Sequence, residues 1–113
     1  MKNGSADAVW RELAQRAHYN AIQLAQLYHV SPRQLRRRFQ ETKGCSPQKW
    51  LDAFRIQVAR QLITEGVSIK ELTFELGFKQ TSHFYRHFRK FMQMTPRQFR
   101  ETSQENHGRN GYK

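Results

Sequence analysis

Arg33, Arg36, Arg37 and Gln40 recur at the i, i+3, i+4 and i+7 spacing that lines up side chains along one face of a helix. Arginine offers a rigid fork of donors, and glutamine a donor beside an acceptor. These are side chains that pair bidentately with guanine and adenine edges. Downstream, Thr81, Ser82, His83 and Arg86 make a second set of hydrogen-bonding groups. The chemistry available to both sets is recognition of base edges in a duplex groove. Ser31, Arg38, Lys49, Arg60, Lys79, Gln80, Arg89, Lys90, Thr95 and Arg97 surround them and suit phosphate oxygens, which position a protein without reading sequence. Arg38 leans toward the helix flank and suits a phosphate or a structural partner.

Bond-making chemistry finds no foothold. There is no glycine-rich phosphate loop, no carboxylate pair in an apolar setting, and no serine or cysteine beside a plausible base. His83 and His87 have the one-turn spacing of a two-ligand metal face, but two further ligands are missing. The sequence therefore predicts a non-enzyme with no cofactor and no metal.

Start and stop signals place the reading residues on helices. A first helix is expected from Ser5, with Ala6, Val9, Trp10, Leu13, Ala14 and Ala17 inward, after a disordered segment 1–4. Asn20 with Gln23 opens a second as a reciprocal cap, with Ile22, Leu24, Ala25 and Leu27 apolar. Ser31-Pro32-Arg33-Gln34 is a stronger start, because serine caps, proline loses no hydrogen bond at the first helical position and glutamine completes the box. Leu35 and Phe39 point inward from this third helix and Gly44 ends it. Ser46-Pro47 opens a long helix, 47–65, with two apolar arcs: Trp50, Leu51, Phe54, Val58 and Leu62 on one, Ile56, Ala59 and Ile63 on the other. Arg55 lies between the arcs as an internal ion-pair partner, with Glu71 or Glu75 as candidates. Ser68 with Glu71 caps a short helix, Gly77-Phe78 makes a turn, and a helix over 81–91 turns Phe84 and Phe88 inward. Thr95-Pro96 with Gln98 opens a last turn ending near residue 100, and 101–113 reads as a disordered tail.

The second half repeats the first. Leu35, Arg37, Phe39, Ser46-Pro47 and Trp50 match Phe84, Arg86, Phe88, Thr95-Pro96 and Phe99 at an offset of 49, while Leu24 and Val30 match Leu72 and Phe78 at 48. Two short helices about a tight turn, the second basic or polar outside, form a helix-turn-helix, and here there are two. The resulting organisation is a first subdomain 5–46, a shared helix 47–65 and a second subdomain 66–100.

Charge points the same way. The 113-residue chain carries a formal +11, and residues 31–100 hold 15 Lys/Arg against 5 Asp/Glu, so the excess lies in the folded body and suits a polyanion. Cys45 is the single cysteine, which excludes an intrachain disulfide and fits a reducing compartment. Neither a secretory signal nor a membrane span is present. These features predict a cytoplasmic, nucleoid-associated protein.

The string Ser31-x3-Leu35-x-Arg37-x-Phe39, Gly44-x-Ser46-Pro47, Arg55-x3-Ala59-x2-Leu62, Ile69-x2-Leu72-x4-Gly77-Phe78-x5-Phe84-x3-Phe88-Arg89-Lys90-x4-Thr95-Pro96-x2-Phe99-Arg100 resembles the DNA-binding domain of the AraC/XylS family of bacterial transcription regulators. The resemblance covers about residues 6–100. It implies an all-α fold of seven helices in two helix-turn-helix subdomains, promoter binding, and activation by contact with RNA polymerase. The chain is similar to members without a sensor domain, which are controlled by abundance, and no small-molecule ligand is expected. Against the family pattern, Thr73 replaces an alanine and is expected to bond a carbonyl one turn back. Gln93 replaces a glycine, at about 1 kcal/mol of strain if its φ is positive. His29 stands in the first turn where Gly77 stands in the second.

With two readers, the chain is expected to bind double-stranded DNA as a monomer across successive major grooves. The long helix, about 28 Å at 1.5 Å per residue, acts as the ruler between them. A nonspecific architectural nucleic-acid binder is the alternative from charge alone. A cationic module for membranes or an acidic protein is another, and it needs Leu35, Phe39, Phe84 and Phe88 exposed.

Overall fold

Helix ends in this chain are set by short polar side chains and by residues in the left-handed region. The computed structural model describes the backbone of residues 2–102, with side chains from residue 8. These residues form seven helices and no strand: α1 (Lys2–Arg16), α2 (Ala21–Leu27), α3 (Pro32–Lys43), α4 (Pro47–Thr64), α5 (Ile69–Glu75), α6 (Thr81–Met92) and α7 over 96–102. Helix α1 begins at Lys2, earlier than the expected Ser5, and Met1 lies outside the described residues. At the other end Glu101 and Thr102 continue α7, where the Thr102 hydroxyl donates to the Gln98 carbonyl at 3.0 Å. Residues 103–113 lie outside the description.

Two compact units divide the chain between Arg55 and Ile56, inside α4 rather than at its ends. In the first unit, Ala14, Ala17, Tyr19, Leu24, Ala25, Leu35, Phe39, Pro47, Leu51 and Phe54 are buried. Aromatic rings run through it: Trp10 lies 4.8 Å from Tyr28 and 5.0 Å from Phe39, and Trp50 lies 5.7 Å from Phe39 and 5.6 Å from Phe54. Of the apolar positions expected on α1 and α2, Trp10, Leu13 and Leu27 are half-buried and two are exposed. Val9 and Ile22 are 55% and 59% exposed, because neighbours on the same helices, Trp10 on α1 and Leu24 and Ala25 on α2, take the inner face. Ala6 lies outside the described side chains.

Gln48, at the start of α4, ties the α1–α2 turn to this unit. Its Nε2 donates to the Tyr19 carbonyl and to Asp52 Oδ1, each at 3.0 Å, and its Oε1 accepts from Ala21 N–H at 2.9 Å. Arg55 stacks over the Tyr19 ring at 5.5 Å. Burial pushes the Tyr19 phenol up, partly opposed by the Arg55 charge. The same burial pulls Arg55 down against the opposing pull of Asp52 and Tyr19.

In the second unit, Ile56, Ala59, Ile63, Leu72, Thr73, Leu76, Phe78, Phe84 and Phe88 are buried. Thr73 bonds one turn back as expected, its hydroxyl donating to the Ile69 carbonyl at 2.6 Å, which satisfies a polar group only 1% exposed. Arg100 Nη2 donates to the Val67 carbonyl and fastens α7 to the turn before α5.

The two units are one backbone design used twice, and the repeat runs further upstream than the side chains reveal. At the α1 end, Ala17, His18 and Tyr19 N–H donate to the carbonyls of Leu13, Gln15 and Ala14. At the α4 end, Glu65, Gly66 and Val67 donate to Gln61, Ile63 and Leu62, each 48 residues on. Inside the turns, Tyr28, His29 and Val30 donate to Leu24, Gln26 and Ala25; Leu76, Gly77 and Phe78 donate to Leu72, Phe74 and Thr73. Left-handed residues recur in step: His18 and Gly66 (φ 54° and 92°), His29 and Gly77 (62° and 80°), Gly44 and Gln93 (73° and 58°). Tyr19, at φ 58°, adds a left-handed residue in the first unit alone.

Candidate nucleic-acid interface

Helices α3 and α6 are each held at the inner side by a pair of apolar anchors four residues apart. On α3, Leu35 and Phe39 are 1% and 0% exposed; on α6, Phe84 and Phe88 are both 0% exposed. At the start of α3, the Ser31 hydroxyl accepts from Gln34 N–H at 3.1 Å and Gln34 Oε1 accepts from Ser31 N–H at 2.9 Å, the reciprocal box expected there. Trp50 stacks edge-on against Phe39 at 5.7 Å, and Phe99 against Phe88 at 5.8 Å, so the aromatic buttress behind each of these helices is also duplicated. Burying these four inner side chains removes the apolar face that a membrane or acidic-protein module would need.

All eight residues expected to read bases are exposed: Arg33, Arg36, Arg37 and Gln40 on α3, and Thr81, Ser82, His83 and Arg86 on α6. Helices α3 and α6 start at 32 and 81, end at 43 and 92, and bury the same two positions, all at an offset of 49. That register makes Ser82, Tyr85, Arg86 and Arg89 the counterparts of Arg33, Arg36, Arg37 and Gln40. Tyr85, which sequence reasoning passed over, is half-buried with its ring edge-on to Phe84 at 6.1 Å. The offset itself was the signal that could have found it. Thr81 and His83 correspond instead to Pro32 and Gln34.

The residues expected at phosphates divide by what already holds them. Lys49, Lys79, Arg89, Lys90 and Arg97 are exposed. Exposed Arg38 donates to the Tyr28 hydroxyl at 3.0 Å, with its guanidinium 5.3 Å from the centre of that ring, so it has the structural partner foreseen as one of its two roles. Arg60 lies 5.6 Å over the Phe99 ring. Thr95 is half-buried and completes the expected box with Gln98, through bonds of 2.8 and 3.1 Å. Gln80 precedes α6 without a side-chain cap bond; its Oε1 instead accepts from the Ser82 hydroxyl at 3.2 Å. At Asn20 only half of the expected box forms. Its side chain accepts from Gln23 N–H, but its own N–H goes to the Ala17 carbonyl at 3.1 Å. Ser46 and Ser68 accept from Lys49 and Glu71 N–H as expected caps.

Among the described residues, no helix is long and apolar enough to cross a membrane, and no group of three or more His, Cys, Asp or Glu side chains is placed to hold a metal.

Comparison with known proteins places this geometry. A family model described as a helix-turn-helix domain matches residues 24–102. The regulatory protein Ada of Salmonella typhimurium is 35% identical over 78 residues, 69% of this chain and 22% of that protein. The transcriptional activator RhaS of Escherichia coli O139:H28 is 28% identical over 106 residues, 91% of this chain and 35% of RhaS. The chain thus spans about a fifth to a third of the length of these relatives. Among solved structures, an AraC-type transcriptional regulator from Chromobacterium violaceum is 26% identical with a TM-score of 0.70, covering 88% of this chain and 96% of that one. With its two helix-turn-helix units in one register, the chain belongs to the AraC/XylS family of transcription regulators, as a DNA-binding domain and not an enzyme.

Proposed function

We propose that this domain binds an asymmetric duplex site as a monomer, with α3 and α6 reading successive major grooves. Arg33, Arg36, Arg37 and Gln40 read bases from α3; Thr81, Ser82, His83 and Arg86 do so from α6, joined by Tyr85 and Arg89 on the register argument. Ser31, Lys49, Lys79, Gln80, Lys90, Thr95 and Arg97 hold the backbone, with Arg38 and Arg60 reaching it from their aromatic neighbours. The protein acts at promoters in the cytoplasm, associated with the nucleoid. It activates through RNA polymerase and needs no small-molecule ligand in this domain.

The observation that carries this reading is the pair of outward, arginine-bearing arcs in one register on two equally long helices. A helix about 10–12 Å across fits the major groove, and one such arc presents three to four side chains to base edges. The test has two steps: selection of bound duplexes from a random pool, then Arg37→Ala on the selected site. The substitution is expected to cost about 1–3 kcal/mol on the selected duplex and far less on a scrambled one. Equal losses on both would make Arg37 a phosphate contact, and a pool without a preferred sequence would favour the architectural reading.

A further inference from the structure

Ile22, 59% exposed on α2, forms one wall of a cleft of about 150 Å³ that lies wholly within the first unit. Ala21, Pro32, Leu35 and Pro47 complete an aliphatic lining that holds no aromatic ring. An apolar cavity of about that volume accommodates one six-membered hydrocarbon ring. Two polar lining residues already commit their side chains inside the unit. The Ser46 hydroxyl accepts from Lys49 N–H, and the Gln48 amide is bonded to Ala21, Tyr19 and Asp52. Arg36 is the one charged residue of the lining. It is exposed, and among the described residues its guanidinium has no hydrogen-bond or ion-pair partner. In the register of the repeat, Lys70, Phe84 and Tyr85 stand where Ile22, Leu35 and Arg36 stand, so the second unit does not carry the same lining.

We propose that this cleft binds a small aliphatic carboxylate, with its hydrocarbon body against Ile22, Pro32 and Leu35 and its charge on Arg36. The volume limits the body to about one six-membered ring and excludes a long acyl chain. The aliphatic lining selects hydrocarbon, and the planar guanidinium fork matches a carboxylate through two parallel hydrogen bonds. Duplex binding needs no such ligand, and the ligand opposes it, because an Arg36 engaged by a carboxylate is withdrawn from the base edge. That consequence rests on α3 reading bases; the binding site itself does not.

Cyclohexanecarboxylate titrated into the full chain without DNA, at fixed ionic strength and followed by amide chemical shifts, supplies the first arm of the test. The shifts should saturate in the millimolar range and centre on Ile22, Leu35 and Arg36. Cyclohexanol keeps the ring and acetate keeps the charge, and each should bind about fivefold more weakly or worse. Arg36→Gln should cost the carboxylate a similar factor and spare cyclohexanol, whereas Ile22→Ser should weaken both ring-bearing probes. Both side chains are exposed, so thermal melts by circular dichroism should match the parent. No saturable shift, equal binding of cyclohexanol or acetate, or undiminished binding in both variants would overturn the proposal. The second arm adds the selected duplex. Saturating carboxylate should weaken it by about the factor that Arg36→Gln alone costs, about fivefold or more, and should add nothing in that variant. Ile22→Ser should leave duplex affinity unchanged without ligand and lose the antagonism. A saturable site with duplex affinity undiminished would overturn the antagonism, and the first arm, which uses no duplex, judges the site whether or not α3 reads bases.

Discussion

Gln93 closes α6 at φ 58° and ψ 29°, a left-handed conformation that its counterpart Gly44 adopts without a β-carbon. The left-handed region costs a side-chain-bearing residue roughly 1–2 kcal/mol, of which glycine's extra freedom in the unfolded chain returns about 0.5–1. Gln93→Gly is therefore expected to stabilise the protein by about 0.5–1 kcal/mol, read as a higher midpoint in urea melts by circular dichroism. A lower midpoint would show that the glutamine side chain contributes more than its backbone costs. Tyr19 gives a second residue-scale prediction. Its folded-state pKa lies above the ordinary 10.0, so it contributes stability that is intact below about pH 10 and is lost as pH rises through the folded value. Alkaline denaturation followed by Trp10 and Trp50 fluorescence should show a decline above pH 10 that is shallower in Tyr19→Phe. Parallel declines in the two proteins would mean that Tyr19 is not the titrating group.

At the scale of elements, the register of α3 and α6 makes a claim that exposure alone does not. Arg89 stands where Gln40 stands, facing away from Phe84 and Phe88, so it should behave as a reader of bases. Arg89→Ala is expected to lose about 1–3 kcal/mol selectively on the preferred duplex. Lys90→Ala should instead weaken preferred and scrambled duplexes alike and reduce the salt slope by about one. Equal behaviour of the two variants would dissolve the register argument. Much of this architecture was legible in the sequence because capping boxes and phenylalanines four apart are local signals. Ser31 with Gln34, Thr95 with Gln98, and the four inner anchors of α3 and α6 are all where the pattern put them. The upstream part of the repeat was not legible. His18 replaces the glycine that would have marked its equivalence to Gly66, and the shared feature there is a backbone hydrogen-bond pattern. Gln48 escaped for a similar reason: its bonds to Ala21 and Tyr19 join segments 27 and 29 residues apart, which no local spacing encodes. Val9 was misplaced because apolar periodicity ranks candidates for an inner face without measuring how many that face can hold.

At the scale of the whole molecule, one helix belongs to both units. Helix α4 gives Leu51 and Phe54 to the first core and Ile56, Ala59 and Ile63 to the second, with the division between Arg55 and Ile56. On the proposed function, this continuity lets one chain bind as a bidentate ligand. A stiff tether keeps the second reader at high effective concentration near its groove, and a flexible or mis-set one forfeits that gain. Glycines inserted between Arg55 and Ile56 interrupt the helix at the division while leaving the side chains of each core unchanged. The insertion is expected to weaken binding to the selected full-length site by about 100-fold or more, the scale of lost avidity. Binding to a duplex carrying either half-site alone should hardly change. Both tryptophans lie in the first unit, so their fluorescence should report an intact first core while the total helical signal reports the pair. Unchanged affinity for the full site would mean that α4 does not set the spacing and that a single reader carries recognition.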